Sequence, residues 1–163
     1  MKSSPHDAVI LLAEDWEPDI ALVKRAFDRA SINNPLHVVR DGEEAISYLG
    51  GIGKFADRSK YPFPDLLLLD LKLPRMDGFE VLKWIRSQPG GKQLLVIVLT
   101  SSQEVYHVNK AYQLGANSFL VKPGELENYT ALARTMARFW FDFDHRPKYA
   151  DEEMSREHPA QSS

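Results

Sequence analysis

The sequence predicts an α/β fold, a parallel sheet covered by helices on both faces. Three observations carry that prediction. Short unbroken apolar runs recur at residues 8–13, 66–69 and 94–99, as strands buried on both faces require. Segments with helical spacing of their apolar residues stand between them. The connections also have the length that a right-handed helical crossover between parallel strands needs.

Each element follows in order. Residues 8–13 (AVILLA) form the first strand and end in Glu14 and Asp15. Glu17-Pro18 opens a helix, since proline is comfortable in a first turn, and Ile20, Val23 and Phe27 continue it to about Ala30. Asn33-Asn34-Pro35 is a turn before a short strand at residues 36–39. Asp41 as N-cap with Glu44 three residues on reads as a capping box, and that helix ends near Gly50-Gly51. Residues 51–63 form a longer polar connection punctuated by glycine and proline. Leu66 to Leu69 then run straight into Asp70. Four apolar residues do not by themselves separate a strand from buried helix, but Pro64 and Pro74 favour the strand because both break helices. Asp77 reads as structural, at the start of a helix whose Val81, Leu82 and Ile85 share a face. Residues 94–99 (LLVIVL) make the fourth strand and end in Thr100-Ser101. Val105, Val108, Ala111 and Tyr112 mark a helix that stops at Gly115. A last strand at residues 118–121 ends in Lys122-Pro123, a final helix spans about residues 125–143, and residues 145–163 read as a polar, disordered tail.

Composition excludes several classes of protein. A net charge of −3 is too small to advertise a nucleic-acid partner. The absence of cysteine removes disulfides, thiol nucleophiles and thiolate zinc sites. No segment reaches the length of a membrane span and the first residues lack a signal-peptide core, so the default expectation is a cytoplasmic protein.

In such a sheet the strand ends converge on one edge, where open α/β sheets bind ligands. That edge collects Glu14, Asp15 and Asp70, the hydroxyls of Thr100 and Ser101, and Lys122. Each has an ordinary alternative. The first two acids suit a helix N-terminus, the hydroxyls suit a helix cap, and the lysine suits solvent. Their coincidence at one edge is what argues for a site. Three crowded carboxylates repel unless a cation joins them, and hard oxygen ligands of this kind suit Mg²⁺. No glycine-rich loop follows the first strand to cradle a nucleotide phosphate, which speaks against a flavin or dinucleotide site.

The acid pair after the first strand, Asp70 after the third, Thr100 after the fourth and Lys122-Pro123 after the fifth together resemble the receiver domain of two-component response regulators. So does the phrase DLKLPRMDG from Asp70 to Gly78, and the resemblance covers about residues 7–144. It implies a flavodoxin-like (βα)5 fold with strand order 2-1-3-4-5 and a cis Lys122–Pro123 bond. It also implies that Asp70 accepts a phosphoryl group from a sensor histidine kinase. Asp15, Glu14 (largely through water), Asp70 and the carbonyl of Lys72 would hold Mg²⁺. Thr100 and Lys122 would bind the phosphoryl oxygens, with Thr100 and Phe119 forming the switch. Glu14 stands where many members have aspartate. No DNA-binding or enzymatic domain is expected after the receiver.

The loop at residues 51–63 and the aromatic sequence Arg138-Phe139-Trp140-Phe141 are similar to single-domain regulators that partner bacterial phytochromes. Neighbouring side chains on a helix point about 100° apart, so Phe139, Trp140 and Phe141 cannot all face one core. With Tyr129 they suggest a homodimer interface. Two other classes remain as alternatives. A hydrolase with an aspartyl-phosphate intermediate of the haloacid-dehalogenase type needs a second acid where Lys72 stands, and a flavodoxin-like electron carrier fits the acidic first loop poorly.

Overall fold

In a computed structural model that describes residues 8–138, five strands alternate with five helices. The order is β1 (Ile10–Ala13), α1 (Glu17–Arg29), β2 (Leu36–Val39), α2 (Gly42–Gly50), β3 (Leu66–Leu69), α3 (Gly78–Ser87), β4 (Leu95–Thr100), α4 (Val105–Gln113), β5 (Ser118–Val121) and α5 (Leu126–Met136). The strands form one parallel sheet of order β2-β1-β3-β4-β5, the flavodoxin-like arrangement.

The four leucines of β3 explain why the strand reads as an unbroken apolar run. Successive side chains point to opposite faces. Leu67 and Leu69 enter a core with Val81, Leu82 and Ile85 of α3, while Leu66 and Leu68 enter a second core with Ile20, Val23 and Phe27 of α1 and Tyr129 and Ala133 of α5. The central strand is thus apolar on both sides because each side is a protein interior.

Caps fix where the helices begin. Asp41 accepts a hydrogen bond from the Glu44 N–H at 2.7 Å and starts α2, and Asp77 accepts from the Glu80 N–H at 2.9 Å and starts α3. The 51–63 connection is more packed than its composition suggests. A short 3₁₀ helix (Gly53–Ala56) buries Phe55, whose ring meets Tyr48 and Tyr61 at centroid distances of 5.1 and 5.0 Å. Arg58 closes the end of α2 by donating to the carbonyls of Tyr48 and Leu49 at 2.7 and 2.8 Å.

Two expectations are corrected. No cis peptide bond occurs among the described residues, so Lys122–Pro123 is trans. Trans is the favoured form even of a prolyl bond, and the chain turns after β5 through Gly124, whose φ of 81° is readily adopted without a Cβ. Tyr129 does not belong to an exposed interface: it is 3% exposed and lies with Ala133 and Met136 on the buried face of α5. Phe139, Trp140 and Phe141 lie outside the described residues.

Candidate functional site

The parallel register brings the carboxyl ends of β1 and β3 level, because Ala13 pairs with Leu69, while β4 runs two residues past Val98, the partner of Leu69, to Thr100. Glu14 therefore stands beside Asp70, and both are buried. Asp15, one residue further on, is exposed. One carboxylate oxygen from each of Glu14, Asp15 and Asp70 lies within 4.8 Å of the others.

Lys122 enters this group from the end of β5. Its Nζ lies 2.5 Å from Glu14 Oε2, 2.7 Å from Asp19 Oδ2 and 2.9 Å from Asp70 Oδ2. Its side chain is 10% exposed, so it is not a solvated lysine. The other oxygens are also engaged. Glu14 Oε1 accepts from the Trp16 N–H at 3.0 Å, and Asp70 Oδ1 accepts from the Lys72 N–H at 3.3 Å.

Burial pushes the Glu14 carboxyl up to about 7, against the opposing pull of its bonds to Lys122 and the Trp16 N–H. Burial pulls Lys122 down, but its bonds to Asp19, Glu14 and Asp70 outweigh that and hold the ammonium above the usual lysine range. The pocket thus contains more acid than its single ammonium neutralises.

Thr100 ends β4 and is fully buried, yet its Oγ1 has no hydrogen-bond partner. The capping alternative for Thr100 and Ser101 does not hold, because α4 begins only at Val105 and its N-cap, Glu104, makes no side-chain capping bond. A buried hydroxyl without a partner calls for an explanation, and a ligand oxygen arriving in the pocket supplies one. Ser101 is exposed.

Gly78 lets α3 approach the site from below. A Cβ there would lie 2.3 Å from the Asp70 carbonyl oxygen, so the glycine of the Asp77-Gly78 pair is needed to seat β3 against the helix. Lys72 is exposed. Phe119 is half-buried against the α3–α4 core, and its N–H donates to the Tyr112 hydroxyl of α4 at 3.1 Å.

The sequence expectation missed Asp19. It holds the site lysine and is 8% exposed. The signal was present: Asp19, Val23, Ala26 and Phe27 fall on one buried stripe of α1, and an acid on an apolar stripe needs a partner.

An all-oxygen carboxylate set around a cationic group suits a hard divalent cation, and the three acids have the proximity to hold one. With the acids, the lysine and the orphaned hydroxyl on one edge, the arrangement can bind a metal ion and a phosphoryl group together.

Known proteins resemble this chain in sequence and fold. The response regulator receiver domain family matches residues 10–134. Response regulator Rcp1 of Synechocystis is 36% identical over 134 residues, which cover 82% of this chain and 89% of the relative. A solved structure of Rcp1 in its Mn²⁺-bound form aligns with a TM-score of 0.76 at 35% identity, covering 86% of this chain and 99% of that one. Response regulator RPA3017, described in red light signaling of R. palustris, aligns with a TM-score of 0.81 at 37% identity, covering 86% and 98%. The phosphorylated cyanobacterial phytochrome response regulator RcpA aligns with a TM-score of 0.79 at 34% identity, covering 86% and 99%.

Proposed function

This chain belongs to the response regulator receiver family, a signalling rather than an enzymatic class, and from that premise we propose that Asp70 is its phosphoacceptor. The donor is a sensor histidine kinase of the phytochrome type, a reading supported by the likeness to RcpA, Rcp1 and RPA3017. The observation that carries the chemistry is the meeting of Glu14, Asp70 and Lys122 beside the unpartnered Thr100 hydroxyl.

Asp70 attacks the phosphorus of the phosphohistidine. A carboxylate O–P bond forms as the P–N bond breaks, and the imidazole leaves. Lys122 donates to a phosphoryl oxygen, and the Thr100 hydroxyl donates to another. Glu14, Asp15, Asp70 and the carbonyl of Lys72 are the groups that would hold Mg²⁺, which when bound neutralises charge on the phosphoryl oxygens. Burial of Asp70 and Glu14 limits the water that reaches the acyl phosphate. Thr100, drawn toward the phosphoryl group, then vacates space beside Phe119, and the surface of α4, β5 and α5 carries the change outward. The hydrolase alternative lacks support, because Lys72 is exposed and carries no carboxylate to activate water.

Incubation with Mg²⁺ and acetyl phosphate, followed by intact mass, tests the reading. The wild type gains one phosphoryl group and Asp70→Asn gains none. Equal gain by both, or none by the wild type, overturns it.

A further inference from the structure

Two of the three carboxylates that hold Lys122 belong to the metal-capable group, and the third does not. Glu14 and Asp70 are members of that group, whereas Asp19 is not. A divalent cation on Glu14 and Asp70 competes with the Lys122 ammonium for the same oxygens. Left unpaired, a side chain only 10% exposed would carry an uncompensated charge, which is strongly disfavoured. Asp19 is the one partner that the metal leaves uncontested.

Its position suits that part. Asp19 lies in the first turn of α1, where the helix dipole favours a negative charge, and its carboxylate is 11% exposed and points to the strand edge rather than to water. It reaches across from α1 to the end of β5, two elements that share no backbone pairing. Among the groups that hold the Lys122 ammonium up against burial, Asp19 has the largest effect.

We propose that Asp19 is a positioning residue for Lys122, keeping the ammonium in the pocket when a divalent cation takes Glu14 and Asp70 and presenting it to the phosphoryl oxygen on Asp70. The inference rests on the phosphoacceptor reading above. Asp19 itself touches neither metal nor phosphoryl group. It gives Lys122 somewhere to stand while its other partners are occupied, so metal and lysine act together instead of excluding each other.

The test is a double-mutant cycle on the full chain, read by Mg²⁺ titration calorimetry. Without its uncontested partner the lysine holds more tightly to Glu14 and Asp70, so Asp19→Asn weakens Mg²⁺ binding by about fivefold to tenfold. In a Lys122→Met background, Asp19→Asn changes Mg²⁺ affinity by less than about twofold. Equal losses in both backgrounds would mean that Asp19 acts on the metal by its own charge, and no loss in either would mean that it does nothing to the lysine; each overturns the proposal. A second measurement needs no variant. In the wild type saturated with Mg²⁺, the Lys122 ammonium keeps a slowly exchanging NMR signal bonded to Asp19, and its loss to solvent exchange counts against the proposal. If the wild type takes up phosphoryl on Asp70 while these signatures fail, the inference falls alone; if it takes up none, the phosphoacceptor reading falls.

Discussion

Two of the cations drawn into this protein, Arg86 and Lys122, have surroundings that differ in kind. Arg86 of α3 donates to the carbonyls of Gly115, Leu94 and Gly91 and to Asn117 Oδ1, with the Gly115 and Leu94 contacts at 2.8 Å. Every one of those partners is a neutral dipole, fixed by the loops that follow α3 and α4. Lys122 is held by three carboxylates instead. Burial lowers the pKa of Arg86, while the acids around Lys122 raise its own above the usual lysine range. A cation that staples loops needs partners that never change. On the proposed reading, Lys122 instead sits among charges that a metal or a phosphoryl group can rearrange.

Replacing each cation breaks the comparison in opposite ways. Arg86→Ala leaves several carbonyls short of donors and costs about 3 kcal/mol of stability, measured by chemical denaturation. Any Arg86→Ala protein that remains folded still takes up phosphoryl from acetyl phosphate. Lys122→Met folds, but removing a donor from the developing phosphoryl charge slows uptake by about a hundredfold. A folded Arg86 variant with slow uptake, or a Lys122 variant with normal uptake, would erase the distinction.

How much of this was legible in the sequence follows from the same contrast. The five strands, the edge acids and Lys122 could be read because strand ends converge by topology alone, and apolar runs locate the strands. Asp19 escapes that rule, because it lies on the apolar stripe of α1 and not at a strand end. Tyr129 was misjudged for a related reason: aromatic content was weighed before periodicity, and the spacing of Tyr129, Ala133 and Met136 marks it as core. In α4 the element was found but not its faces. Ala111 is buried, whereas Val105 is 72% and Tyr112 49% exposed. Hydrophobic identity indicates a helix more reliably than it indicates which side of the helix is covered. The Arg86 contacts were not readable at all, because carbonyl partners leave no mark in side-chain sequence.

The charged pocket should respond to pH where the neutral one does not. Folded Glu14 keeps its proton up to about pH 7, above its ordinary value of 4.5, so between those values the native chain binds more protons than the unfolded one. Its contribution to stability therefore falls as pH rises through that window and is flat beyond it. Metal binding requires the ionised carboxylate, so Mg²⁺ affinity rises by about tenfold between about pH 6 and about pH 8. Calorimetric titration at the two pH values measures it. Affinity that does not change with pH would show that Glu14 is already ionised at the lower value and that the lysine neutralises it fully.

The smallest effect separates two hydroxyls at the end of β4, one on its last residue and one just past it. Ser102 Oγ lies 2.6 Å from His107 Nδ1 and accepts from the Glu104 N–H at 3.4 Å, so its bonds belong to the resting fold. Thr100 Oγ1 is buried with no partner, so its bond belongs to another state. Ser102→Ala should cost about 1 kcal/mol by removing a satisfied group, while Thr100→Val should gain about 1 kcal/mol by removing an unsatisfied one. The same Thr100→Val change shortens the lifetime of the phosphoryl group on Asp70, because one donor to its oxygens is gone. A variant that is more stable yet holds its phosphoryl group more briefly would mark Thr100 as a residue kept for the loaded state. Thermal melts and intact-mass decay on the same protein read both quantities, and a destabilised Thr100→Val would mean that the hydroxyl is already satisfied before any phosphoryl group arrives.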